Sequence, residues 1–260
     1  MIYIAFLFFI FLILVLAFYQ WQYFMIFSPV YYRDGELDDS FEMLSIITED
    51  KVELEGVVYE PEHAKATLLF FGGRSHDTVG LIKRLSLLYP RERIITFNYR
   101  SYGKSTGDAN EENIFKDGVQ IATLVQKNYG DFYIAGFSLG SSVSAYVASK
   151  LKTSGVFLIG SFDTIASLAR EKFVERGRFP MIDLSKIFRY KFDNKKHVKN
   201  IDAPTYLFVS KDDETTYIKN ARNLKECIKN LAFYEEYNGL KHKELLWHED
   251  VINKMNGVME

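Results

Sequence analysis

From Met1 to Phe27 the chain runs through Ile, Leu, Phe, Val and Ala without one charged side chain, and the first formal charge is Arg33. Met1 to Phe18 is almost wholly apolar, and as a helix at about 1.5 Å per residue it spans roughly 27 Å, close to the ~30 Å hydrocarbon core of a bilayer. Tyr19, Gln20, Trp21, Gln22 and Tyr23 follow, amphipathic residues of the kind that settle at a membrane interface. A cleaved leader shows a basic start, a shorter apolar run and a small-x-small cleavage site, none of which is present. The pattern therefore predicts a single-pass membrane anchor over residues 1–27 and an acidic connector over 28–41. Arg33 stands alone against Asp34, Glu36, Asp38 and Asp39; because orientation follows Lys and Arg near the span, this pattern leaves it open.

Beyond the connector, short apolar runs alternate with helical periodicity. Glu42 to Ile47 and Val52 to Tyr59 flank the polar turn Thr48-Glu49-Asp50-Lys51 and predict a hairpin. Ala66 to Phe71 predicts a buried strand, followed by a Gly-rich loop and a helix with Val79, Ile82, Leu85 and Leu88 on one face. Arg93 to Phe97 repeats the unit, with Ile114, Ile121, Ala122 and Val125 forming the next helical stripe, which ends near Gly130. Phe132 to Phe137 then runs into a helix of small residues from Leu139 to Lys150. Gly155 to Ile159, Thr205 to Val209 and Ala232 to Tyr237 supply further strands. Repeated strand-helix units predict an α/β fold with a mostly parallel sheet covered by helices. Residues 161–203 carry scattered aromatics, including Phe173, Phe179, Phe188, Tyr190 and Phe192, with little strand character, and predict a lid inserted into a single domain over 42–260.

Composition narrows the chemistry. The 260 residues are 48% apolar and 25% charged with a formal net charge of -2, so the excess of clustered cations that a nucleic-acid partner requires is missing. One cysteine, Cys227, excludes an internal disulfide and a paired-cysteine metal site.

The candidate chemistry falls at strand ends. In Gly136-Phe137-Ser138-Leu139-Gly140 the serine lies between a strand and a helix, where a tight turn pushes the hydroxyl out of the sheet. A side chain two residues before or after it would collide as the backbone reverses. The Leu139 N–H at the helix start is placed to bind an oxyanion. The base and acid of such a serine follow in the order acid, then histidine. His63, His76 and His197 precede the expected acid. His242 follows the strand ending at Tyr237 and the turn Asn238-Gly239, whereas His248 is expected inside the last helix, so His242 is the candidate base. The loop Ser210-Lys211-Asp212-Asp213-Glu214 supplies the acid, with Asp213 preferred over Asp212. The second oxyanion donor is expected from Gly72-Gly73-Arg74-Ser75, at Gly73 or Arg74. Gly103-Lys104-Ser105 imitates the end of a phosphate-binding loop, but the glycine needed five positions earlier is Asn98, which sets nucleotide binding aside.

Phe71-Gly72-Gly73, Tyr99-Arg100-Ser101-Tyr102-Gly103-Lys104-Ser105 and Gly136-Phe137-Ser138-Leu139-Gly140 follow successive strands, and together they resemble the α/β-hydrolase family. Ser161 to Ala169, Tyr190-Lys191-Phe192-Asp193 and Ile201-Asp202-Ala203-Pro204 further resemble its small, N-terminally anchored branch, which includes acyl-protein thioesterase-like and lipid-ester serine hydrolases. The likeness runs from about Met43 to the C-terminus. It departs where Gly72-Gly73 replaces a common His-Gly, and where Ser210 replaces the glycine often found three before the acid.

The resemblance implies hydrolysis of a carboxylic ester or thioester through an acyl-enzyme, with Ser138 as nucleophile, His242 as base, Asp213 as orienting acid and no metal or organic cofactor. The anchor implies hydrophobic or membrane-held substrates, such as a lipid or an acylated protein. It also leads to the expectation that removing Met1 to Phe27 spares turnover of soluble esters. A serine peptidase or amidase of the same fold, and a non-catalytic membrane-tethered interaction domain, are the alternatives.

Overall fold

The computed structural model of the protein describes residues 2–31, 37–174 and 184–260. The first helix, α1 (Ile2–Ile26), carries a 24-residue stretch, Tyr3–Ile26, that is long and apolar enough to cross a membrane, with mean hydropathy 2.5. At about 1.5 Å per residue such a stretch exceeds the ~30 Å hydrocarbon core. Tyr3 to Leu16 project no side chain into the rest of the protein, whereas Gln22, Ile26 and Phe27 are buried. The two ends of one helix thus occupy different surroundings.

Eight strands form one sheet: β1 (Phe41–Ile47), β2 (Glu53–Tyr59), β3 (Ala66–Phe71), β4 (Glu92–Phe97), β5 (Tyr133–Phe137), β6 (Gly155–Ile159), β7 (Thr205–Ser210) and β8 (Leu231–Tyr237). Their order is β1-β2-β4-β3-β5-β6-β7-β8. The β1–β2 hairpin and the β2–β4 pair are antiparallel; every pairing from β4 through β3 to β8 is parallel. The hairpin and all eight strands lie within a residue or so of the sequence expectation, because the inner ones are short apolar runs and the outer ones mix apolar and polar residues between turn residues.

Helices cover both faces, and strand alternation divides the core accordingly. Leu69 and Phe71, Ile134, Val156 and Leu158, and Leu207 face a layer containing α3 (Glu111–Tyr129), α4 (Leu139–Ala148), α7 (Asn194–Val198) and α8 (Ile218–Lys225). Leu68 and Phe70, Ala135 and Phe137, Phe157 and Ile159, and Phe208 face α2 (Ile82–Leu88), α9 (His242–Leu245) and α10 (Glu249–Met259). Helix α3 starts where the Asn110 side chain accepts from the Asn113 N–H at 2.9 Å and stops at Gly130, a side-chain cap and a glycine at the two ends.

Arg100, only 4% exposed, joins one of these helices to the hairpin turn. It donates to Asp117 on α3 at 2.7 and 2.8 Å and to Asp50 in the hairpin turn at 2.5 and 2.8 Å. The Tyr99–Ser105 segment therefore has a structural role, since its arginine clamps a helix and a turn that are far apart in sequence.

Between β6 and β7 the chain forms α5 (Ile165–Val174), α6 (Leu184–Ile187) and α7. The remainder of the expected lid, 175–183 with Phe179, lies outside the described residues, as do Arg33, Asp34 and Glu36 of the expected connector. The described start of that connector is bonded to the domain: Ser28 N–H donates to the Arg74 carbonyl at 3.1 Å, and Gly103 N–H donates to the Val30 carbonyl at 2.7 Å.

Candidate active site

Three side chains from three strand ends converge at the C-terminal edge of the parallel strands, where open α/β sheets present their ligands. Ser138 follows β5, Asp213 follows β7, and His242 follows β8. Ser138 has φ 54° and ψ -116°, a left-handed conformation that costs a non-glycine residue energy and persists only where the surroundings enforce it. The enforcement is visible at the flanking glycines. A Cβ on Gly136 would lie 2.1 Å from the Gly140 carbonyl oxygen, and one on Gly140 would lie 2.1 Å from that of Phe71. Helix α4 can approach β5 and β3 this closely only with hydrogen at both positions.

The His242 ring sits between the other two groups. Its Nε2 is 2.9 Å from Ser138 Oγ and its Nδ1 is 2.7 Å from Asp213 Oδ2. A carboxylate only accepts, so Nδ1 carries the proton and Nε2 is left to accept from the serine hydroxyl. All three residues are buried. Asp213 is hydrogen-bonded on both oxygens: Thr215 and Thr216 N–H donate to Oδ1 at 2.7 and 2.8 Å, and Thr216 Oγ donates to Oδ2 at 2.6 Å. Burial alone would push the Asp213 carboxyl up, but the His242 contact and the Thr216 hydrogen bonds outweigh it and hold it below the usual carboxylate value.

Asp212 points elsewhere and accepts from Gly239 N–H at 2.6 Å. Ser210, where the resemblance leads one to expect glycine, donates its hydroxyl to the Leu240 carbonyl at 2.6 Å. That bond ties the acid-bearing loop to the histidine-bearing one. His242 is the first residue of α9 rather than a loop residue, and His248 is the residue preceding α10 rather than part of it. The physical reason is a break between two helices: Glu244 accepts from the Lys241 N–H at 2.6 Å and starts α9, while buried Leu245 and Leu246 seat that turn on the core.

The Gly-rich loop after β3 abuts the serine, with the position a Gly73 Cβ would occupy 3.5 Å from Ser138 Cβ. The two expected donors in this loop differ. Gly73 N–H donates to His76 Nδ1 at 3.2 Å, whereas the N–H groups of Arg74 and Leu139 have no protein acceptor among the described residues. His76 lies flat on Phe137, centroids 5.4 Å apart, and Phe137 in turn contacts the His242 ring at 4.8 Å. Burial, with Lys243 and His242 nearby, pushes the His76 imidazole down to about 4, so it is neutral and able to accept near pH 7. Nothing in the sequence pattern marks His76 for this role, because its stacking partner is 61 positions away (137 - 76).

A cavity of about 110 Å³ opens over Ser138 and Leu139. Phe162, Ile165, Leu168 and Ala169 form one wall and Met25 and Ile26 another, with Lys172 and Thr216 also on the lining. Phe162, Ile165, Leu168 and Ala169 fall in the Ser161–Ala169 segment of the resemblance and in the expected lid, whereas nothing in the sequence marks Met25 and Ile26 as their neighbours, since helix α1 and helix α5 are brought together only by the fold. Among the described residues, no group of three or more His, Cys, Asp or Glu is arranged to hold a metal ion.

No family model matches the chain. It is 25% identical over 150 residues to an uncharacterized membrane protein of Saccharomyces cerevisiae, covering 55% of this chain and 53% of that one. It is 28% identical over 178 residues to a lysophosphatidylserine lipase of Macaca fascicularis, covering 59% of this chain and 42% of that one. The chain thus spans about half or less of the length of these two relatives. Among solved structures, an esterase of Pyrococcus furiosus superposes with a TM-score of 0.67 at 16% identity, over 89% of this chain and 98% of that one. A bacterial membrane phospholipase A superposes with a TM-score of 0.64 at 14% identity, over 99% and 94%.

Proposed function

We propose that this chain, which has the α/β-hydrolase fold, is a membrane-anchored serine hydrolase that cleaves carboxylic ester or thioester bonds of hydrophobic acyl substrates. The observation that carries the reading is the continuous hydrogen-bonded path from Ser138 Oγ through His242 to Asp213.

In this mechanism His242 Nε2 takes the hydroxyl proton as Ser138 Oγ attacks the acyl carbonyl, and Asp213 stabilises the imidazolium that forms. The N–H groups of Leu139 and Arg74 receive the oxyanion; Gly73 is the weaker candidate because its N–H is occupied. His242 then delivers the proton to the leaving alcohol or thiol, and water, activated by the same imidazole, releases the acid. No step calls for a metal or an organic cofactor. The aliphatic and aromatic side chains of Met25, Ile26, Phe162, Ile165 and Leu168 on the cavity lining support an acyl group as the part of the substrate held beside the serine, and the lipase and phospholipase among the similar proteins accord with that choice.

Retention of residues 1–27 as an anchor is supported by how their last turns are used. A segment cut away after targeting has no reason to bury Phe27 completely or to line the cavity above the serine. The proposed organisation is an anchor over 1–27, a connector over 28–41 whose Ser28 and Val30 bond to the domain, and one hydrolase domain from residue 42 onward with α5 of the 161–203 insert beside the site.

A fluorophosphonate probe tests the reading directly. The intact protein is expected to label and Ser138→Ala to be silent; labelling that survives the substitution removes Ser138 as nucleophile. Parallel assays with p-nitrophenyl esters, acyl thioesters and peptide amides separate the ester reading from an amidase, and turnover confined to the amides overturns it.

A further inference from the structure

Helix α1 does more at its C-terminal end than emerge from an apolar phase. Phe27 is fully buried, with its ring 5.2 Å from that of Tyr190 and 6.3 Å from that of Phe192. Gln22, also buried, accepts from the Arg189 N–H at 2.7 Å. Ser28 N–H donates to the Tyr102 hydroxyl at 3.0 Å, and that hydroxyl donates to the Arg74 carbonyl at 2.6 Å. The Arg74 guanidinium bonds the Met25 carbonyl. Arg74 therefore reaches the end of the anchor with its side chain while its backbone stands beside the nucleophile.

These contacts hold Met25 and Ile26 against the cavity over Ser138, opposite Ile165, Leu168 and Ala169 of α5. Trp21, four residues earlier, lies between Phe18 and Phe173 with centroids at 5.8 and 6.3 Å. Four helical residues advance about 6 Å, so the aromatic collar and the cavity wall are separated by only about one turn of the same helix.

We infer that Met25 and Ile26 form the acyl-selecting wall of the pocket, and that the acyl chain of a bilayer lipid enters along helix α1 with its distal methylenes still in the membrane. The inference rests on the serine-hydrolase reading and on the retained anchor. The size of the cavity argues for partial entry: at about 110 Å³ it is smaller than a ~150 Å³ apolar cavity that admits benzene. It takes the methylenes next to the carbonyl. The rest of a long chain remains outside, where the apolar surface of α1 from Tyr3 to Leu16 provides a path without exposure to water. Substrates with long saturated or unsaturated tails are then accepted alike, while bulk close to the carbonyl is selected against by residues of the anchor itself.

The test uses the full-length chain in phosphatidylcholine vesicles and compares kcat/KM for p-nitrophenyl decanoate with that for the butyrate. Met25→Trp is expected to lower the decanoate-to-butyrate ratio by about tenfold, since excluding one methylene from an apolar site costs roughly fourfold. Met25→Ala is expected to shift the ratio the other way. A ratio of two specificity constants does not depend on the fraction of protein that folds, so a merely unstable variant leaves it unchanged. If both variants keep the wild-type ratio, the wall assignment is overturned while the serine reading stands. If the wild-type protein neither labels with fluorophosphonate nor hydrolyses either ester, the serine reading fails, and this inference fails with it.

Discussion

The site has two halves built in different ways. Ser138, Asp213 and His242 hang from the ends of β5, β7 and β8, strands that a hydrogen-bonded ladder holds in fixed register. The cavity wall is formed by the last turn of α1 and by α5, which touch through Trp21 and Phe173, while hydrogen bonds to Tyr102 and Arg189 hold the end of α1 to the rest of the domain. The first half has its geometry set by backbone pairing, so the reacting groups keep their spacing when surface residues change. The second half has its geometry set by packing, so single side chains can alter its shape. Under the proposed function, chemistry and selectivity are expected to be separable, because different interactions position them.

The sharpest way to break that separation is at the serine. Ser138→Ala is expected to lower kcat for ester hydrolysis by about 10³- to 10⁶-fold while leaving the thermal midpoint nearly unchanged; stopped assays alongside a melting curve check both. Asp213→Asn is expected to lower kcat by up to about 10⁴-fold, because an amide donor facing Nδ1 selects the wrong tautomer, with little effect on KM. A comparable loss appearing in KM instead would mean that Asp213 shapes the pocket.

On the packed side, Phe27→Ala is expected to cost about 3–5 kcal/mol of stability, the usual range for emptying a fully buried aromatic site, measurable by urea unfolding in detergent. Deleting Met1 to Phe27 removes that ring together with Met25 and Ile26. Where the sequence pattern led to the expectation that truncation spares soluble-ester turnover, the packing leads to the opposite one. Truncation is expected to lower turnover of p-nitrophenyl butyrate as well as activity on vesicle-held esters.

The smallest effect expected is the response to acid. The fold holds His76 neutral, with its pKa down to about 4 against 6.5 for the free side chain. Below pH 6.5 the unfolded chain gains a proton that the folded one refuses, so stability falls as pH drops from about 6.5 to about 4 and levels off beyond. Asp213, held below its ordinary value, adds stability above the unfolded carboxyl pKa that is lost as pH falls through the folded one. The His76 contribution should amount to about 1–3 kcal/mol. Urea midpoints at pH 7 and 4.5 read it, and His76→Gln should flatten that part of the slope.

The inner strands were legible because they are apolar runs closed by turn residues, and Gly136 and Gly140 announced the tight turn because no other residue has so small a footprint. The sequence pattern prefers Asp213 over the adjacent Asp212, but what separates them is which one faces a ring 29 positions downstream (242 - 213), a matter of how one loop folds. The final histidines shifted by local capping: Glu244 starts a separate helical turn at His242, a detail that periodicity over so short a stretch does not carry.

Local periodicity and steric limits within a few residues fixed the alternation of strand and helix, the apolar helix at the N-terminus and the strand ends that carry the candidate site. Packing alone settled that Arg74 joins the loop beside Ser138 to the end of α1, that His76 occupies the Gly73 N–H, and that Met25 and Ile26 line the same cavity as Ser138. The contacts of the last turns of α1 join segments separated by 49 to 167 positions in the chain, and only close packing in three dimensions selects which apolar residues become neighbours.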